Sequence, residues 1–159
     1  MDDRRHLTLE QTKYSAVETL ISCIRNGVTT VFDHHASFGQ IGGSLFTIAD
    51  VAKELGVRAC LCYEISDRDG MDKARESVME NAEFIRYALK DDTDMIAGMM
   101  GMHAQFTISD ATMELAAANK PDEVGYHIHV AEGIEDLHDC LKKYGKRIVD
   151  RLDGFQHSR

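Results

Sequence analysis

His127 and His129 stand one residue apart in the segment GYHIHVAE, and Glu132 closes it. If the segment is a strand, both imidazoles project to the same side, two residues' rise or roughly 7 Å apart. Such a pair can offer nitrogen donors to a transition metal, although a stable catalytic site takes about three protein ligands. HxH is a weak motif on its own: His127, deeper in the strand, reads first as structural, and His129, nearer the rim, reads either way. Glu132 falls where the strand becomes a loop. A carboxylate there can reach over a metal at His129 and move protons, or it can be a first-turn acid favoured by the dipole of the following helix.

Two further groups of chemically capable residues end apolar runs. His103 closes MIAGMMGMH and precedes AQFTISD, a position from which it can hydrogen-bond a substrate oxygen or ring nitrogen or serve as a loop histidine. Asp33, His34 and His35 end VTTVFDHH. Alternation places Asp33 and His35 on one face and His34 on the other, so only part of this cluster can face a site. Cys60 and Cys62, in RACLCYE, share a face and read as small apolar core residues rather than ligands, because structural zinc cysteines are usually two to four residues apart with further ligands nearby. FGQIGGS has neither the GxGxxG spacing nor a Walker lysine. With no GxSxG elbow or SxxK either, covalent nucleophilic catalysis has no support.

The elements that must position these residues alternate strand and helix. Helices are expected at about 9–26, stopped by Gly27; 44–55, stopped by Gly56; 71–89; 109–119, with Ser109 or Asp110 as the cap; and 134–144, with a further turn or two at 146–152. Between them lie VTTVFDHH, VRACLCYE, MIAGMMGMHA and GYHIHVAE, apolar on both faces, as in a parallel sheet covered by helices. Five of the eight histidines fall at or beside strand C-termini, the functional rim of α/β sheets. Four βα units suit a doubly wound sheet or part of a (β/α)8 barrel. A whole barrel takes about 250 residues, so barrel material of this length is roughly half of one.

Composition narrows the partners. The 159 residues form one expected domain, 1–159, with 43% hydrophobic and 28% charged residues, enough for an ordinary core. A net charge of -9 without a Lys/Arg cluster argues against nucleic acid. The longest apolar stretch, Met95 to Met102, is too short for a membrane span, and MDDRRH lacks an export segment, so a cytoplasmic chain with four reduced cysteines is expected.

Taken in order, GVTTVFDHHAS, LGVRACLCYEISDRDG, GMHAQFTISD and YHIHVAEGIEDLHDCLKKYGKRIVDRL resemble the amidohydrolase superfamily, in its aminohydrolase and chlorohydrolase branch and nearest the SsnA-type aminohydrolases. The resemblance covers nearly the whole chain. It implies an α/β fold, a partial TIM (β/α)8 barrel of about four βα units comprising strands two to five. It implies one divalent metal, zinc or iron, and hydrolysis of a C–N or C–Cl bond in a small nitrogen-heterocyclic substrate. On that mapping His129 is the fifth-strand metal ligand, Glu132 the acid that protonates the departing amine, and His103 the histidine that contacts substrate. His127 and His35 are accessory at most. The first-strand HxH pair would lie upstream, and the sixth-strand histidine and eighth-strand aspartate downstream. The chain then reads as an internal fragment with the metal incompletely liganded, inactive in isolation and prone to pair with a second copy through its open edges. The competing reading is a non-catalytic, stand-alone α/β domain that binds a ligand or partner.

Overall fold

A computed structural model describes residues 7–156; the opening MDDRRH, read above for export signals, lies outside them. In chain order the elements are α1 (Leu9–Arg25), β1 (Thr30–His35), α2 (Ser44–Leu55), β2 (Arg58–Tyr63), α3 (Met71–Ala88), β3 (Ile96–Gly98), β4 (Met100–Ala104), α4 (Asp110–Asn119), β5 (Tyr126–His129), α5 (Ile134–Tyr144) and α6 (Ile148–Gln156). Helix starts follow local chemistry. Thr8 and Gln11 form a capping box on α1, and the Ser109 hydroxyl accepts the Thr112 N–H at the start of α4. The start of α2 has no side-chain cap of its own; the Glu80 carboxylate of α3 accepts the N–H groups of Gly43 and Leu45, each at 2.9 Å.

All strand pairs are parallel, and spatial order follows chain order: β1-β2-β3 in one sheet, β4-β5 in the other. The run expected as a single third strand breaks at Met99. Its first part pairs with β2 and its second with β5, while Ile65 bridges to Met102 and keeps the two sheets in one layer. At the break the ladder is replaced by a side chain. The fully buried Asn81 amide of α3 accepts the Tyr63 N–H at 2.9 Å and the Gly101 N–H at 3.2 Å, and donates to the Tyr63 and Ser77 carbonyls, both at 2.9 Å. Every hydrogen-bonding position of that amide is therefore used.

Parallel crossovers are right-handed almost without exception, so a sheet wound in one direction carries its helices on one face, as a barrel does and a doubly wound sheet does not. The outward residues of the strands bear this out. Ala59, Leu61 and Tyr63 pack with Leu45, Val51 and Phe84 in one cluster, while Ile65, Met100 and Met102 pack with Val78, Ile85 and Met113 in another. The opposite face differs from the apolar lining expected of it: Cys60, Cys62 and Glu64 alternate with those core residues on and just beyond β2, and β4 and β5 add histidines. Curvature is read from reach. In a flat sheet β1 and β5 would stand about 14 Å apart, three strand spacings, yet the His34 ring centroid lies 4.7 Å from that of His127 and 4.5 Å from that of His129. The sheet is curled around its polar face, giving the partial barrel expected.

Candidate metal centre

The polar face is built in levels fixed by strand register. At the deeper level His34 is paired with Cys62 across β1 and β2, and Gly101 with His127 across β4 and β5. Gly101 makes the convergence possible: a Cβ there would fall 2.3 Å from the Tyr63 carbonyl oxygen and 2.9 Å from both the Cβ and Sγ of Cys62. With no side chain from β4 at this level, the imidazoles of β1 and β5 meet over it. Nearer the rim come Glu64, His103 and His129, with the His103 and His129 rings 5.7 Å apart.

His34 joins the two levels. One donor atom from each of His34, Glu64 and His129 lies within 4.8 Å of the others, and the same is true of His34, Cys62 and His127. Burial, reinforced by the neighbouring His127, His129 and His103, pushes the His34 pKa down to about 3, so the ring is neutral with a lone pair to offer at pH 7. Its Nε2 is buried without a hydrogen-bond partner. Buried polar atoms are ordinarily paired, so an orphaned imidazole nitrogen on a ring that lies beside a carboxylate and further imidazoles suits a cation; the Glu64 Oε1 at this level accepts from the Arg68 guanidinium. The donor set of nitrogens and a carboxylate oxygen is one that zinc takes.

His103 is set by a β-bulge. Met102 pairs with Ile128 and Ala104 with His129, leaving His103 as the extra residue of β4, a device that re-aims a side chain. Its Nδ1 lies 2.9 Å from the Thr107 hydroxyl, and that hydroxyl donates to the Ala104 carbonyl at 2.9 Å. Thr107 has one hydrogen and spends it on Ala104, so Nδ1 must be the donor in the His103 contact. Burial lowers the His103 pKa, opposed by Glu64. The neutral ring therefore keeps its lone pair on Nε2.

Glu132 sits exposed in the loop between β5 and α5, one residue after Ala131, whose φ is +55°. That strained backbone is pinned from below: the buried Asp136 carboxylate accepts the Ala131 N–H at 3.0 Å and the Gln105 side-chain N–H at 2.7 Å. Gln105 in turn accepts from Arg151, stacked on Tyr144, and Arg151 also bonds Asp110 at 2.6 Å. One network thus ties the loop carrying Glu132 to the end of the strand carrying His103.

Of the residues singled out from sequence, His103, His127 and His129 are brought together on the inner face, and Glu132 lies exposed in the loop that follows β5. His35 is not. It turns to the helix side with Asp33, beside a recess of about 260 Å³ between α1 and β1, where Nε2 meets the Ser37 hydroxyl at 2.9 Å and the ring packs edge-on against Tyr63. Burial lowers the His35 pKa to about 4 and raises that of Asp33. The alternate member, His34, takes the inner position. Cys62 is core-buried as expected, yet its Sγ lies 3.6 Å from His34 Nδ1. Glu64 went unremarked in the sequence reading, although its place at the end of VRACLCYE, two residues beyond Cys62, was the available signal.

A sequentially wound parallel sheet is thus curled around histidines and a carboxylate at its C-terminal end, as in a partial barrel. The sequence matches the Amidohydrolase family over residues 3–159, and the chain belongs to that family. It is 27% identical over 141 residues to the 5-methylthioadenosine/S-adenosylhomocysteine deaminase 2 of Archaeoglobus fulgidus, a match covering 86% of this chain and 32% of that protein. It is 28% identical over 163 residues to the 8-oxoguanine deaminase of Pseudomonas aeruginosa, covering 92% of this chain and 36% of the relative. The chain spans about a third of the length of these curated relatives. In fold it is similar to an adenosine deaminase from Xanthomonas campestris with bound zinc, at a TM-score of 0.77 and 22% identity over 96% of this chain and 34% of that one. It is also similar to a variant of the atrazine chlorohydrolase from Arthrobacter aurescens complexed with zinc and atraton, at a TM-score of 0.77 and 17% identity over 95% of this chain and 36% of that one.

Proposed function

We propose that this chain supplies part of the active site of a metal-dependent hydrolase that removes an amine, or a chloride, from a carbon of a small nitrogen heterocycle. The observation that carries the reading is the convergence of His34, Glu64 and His129 with a buried, unpartnered imidazole nitrogen among them. The 28% identical 8-oxoguanine deaminase and the fold likeness to the atrazine chlorohydrolase support it. His129, with His34 and Glu64 in reach, would hold one divalent metal, zinc or iron, whose role when bound is to supply a hydrolytic nucleophile by acidifying water near neutral pH.

The chain's own groups divide the remaining work. His103, with its lone pair on Nε2, accepts a hydrogen bond and so selects an amino or ring N–H group. Glu132 takes a proton at its carboxylate and returns it to the departing nitrogen. Ala131 and Asp136 hold that carboxylate at the rim. No helix among the described residues is long and apolar enough to cross a membrane, and the four cysteines are unpaired, in keeping with a cytoplasmic setting. In a full-length enzyme carrying this segment, Glu132→Gln is expected to lower kcat by about 10²–10⁴-fold while metal content stays at the wild-type level. Undiminished turnover in that variant would reject the assignment.

A further inference from the structure

We infer that His34, Cys62 and His127 form a second, thiolate-containing position for a thiophilic divalent metal, one level deeper in the barrel than His129. The inference goes beyond the hydrolytic reading and depends on neither Glu132 nor turnover. Three observations carry it. One donor atom from each of the three side chains lies within 4.8 Å of the others. The Cys62 Sγ to His34 Nδ1 separation is 3.6 Å, close to the edge of a zinc tetrahedron, which bond lengths of about 2.3 Å to sulfur and 2.0–2.1 Å to nitrogen place at roughly 3.5 Å. Finally, Gly101 keeps the fourth strand from filling this level, since a Cβ would stand 2.9 Å from the sulfur.

Ligand chemistry separates the two positions. The rim set, His34, Glu64 and His129, offers nitrogen and a hard carboxylate oxygen. The inner set replaces that oxygen with sulfur, which favours zinc, cadmium or cobalt over magnesium and calcium. Three side chains from strands β1, β2 and β5, in two sheets of one layer, make a ligand set supplied by this chain alone, held on rigid elements. Binding breaks the Cys62 S–H bond, sends the proton to solvent and forms a sulfur–metal bond. His34 belongs to both sets, so its ring couples the two positions.

The test is a cobalt(II) titration of the purified, metal-free 159-residue chain, followed by near-ultraviolet thiolate-to-cobalt charge-transfer absorption. A band saturating at one thiolate per chain is expected. Cys62→Ser should abolish it, and His127→Gln should weaken cobalt binding at least about tenfold. Cys60→Ser, His129→Gln and Glu64→Gln should retain it. If circular dichroism shows Cys62→Ser to be misfolded, the half-buried His127→Gln is read in its place. Absence of the band from folded wild-type chain, its survival in folded Cys62→Ser, or unchanged affinity in His127→Gln overturns the inference. Cobalt binding without the band that disappears in His129→Gln overturns the inner position while leaving the rim reading intact, so the two fail separately.

Discussion

The two faces of β2 differ by one residue in sequence and by almost everything in chemistry. Leu61, facing the helices, is fully enclosed among Leu45, Val51 and Phe84, and its contribution is apolar burial. Its neighbour Cys62, equally enclosed, meets a histidine ring and a backbone carbonyl. The outer face holds the fold through apolar contact, whereas the inner face carries a buried imidazole nitrogen, His34 Nε2, that has no hydrogen-bond partner and adds nothing to stability until a ligand arrives. Stability and chemistry are thus divided between opposite sides of the same strands.

Substitutions that truncate the outer face should cost most. Leu61→Ala is expected to destabilise the chain by about 2–5 kcal/mol, read from the urea midpoint at constant slope. Gly101→Ala, which forces a Cβ against the Tyr63 carbonyl and Cys62, should cost about 1–3 kcal/mol and would blur the division, because it loads the inner face with a packing penalty. His34→Leu sharpens it. Removing the orphaned nitrogen should shift metal-free stability by no more than about 1 kcal/mol, yet abolish the rise of about 2.7 kcal/mol expected of the wild type at metal concentrations a hundredfold above Kd. Loss of several kcal/mol in metal-free His34→Leu would show that the inner face is structural after all. Glu132→Gln, exposed at the rim, should stay within about 0.5 kcal/mol of wild type.

The sequence disclosed elements better than it disclosed the neighbours they acquire. The helix end at Gly56, the cap at Ser109 and the strand carrying His127 and His129 follow from local rules, because glycine at positive φ and hydroxyl caps act within a few residues. Alternation separated His34 from His35, but it carries no sign: it does not say which face is inner. That choice is made when helices cover the other face. The meeting of β1 with β5 depends on sheet curvature, and the aim of His103 on a bulge whose partner strand lies more than twenty residues away. Cys62 and Glu64 acquired meaning only once His34 and His129 stood beside them.

The Asn81 amide, which stitches β2 to β4 where their ladder lapses, sets a length scale for the whole centre. Imidazoles from β1 and β5 converge across a seam where this side chain from an outer helix works together with the Ile65–Met102 bridge, so the span between them is set in part from outside the barrel. A residue that touches no donor group thereby helps to space the strands that carry them.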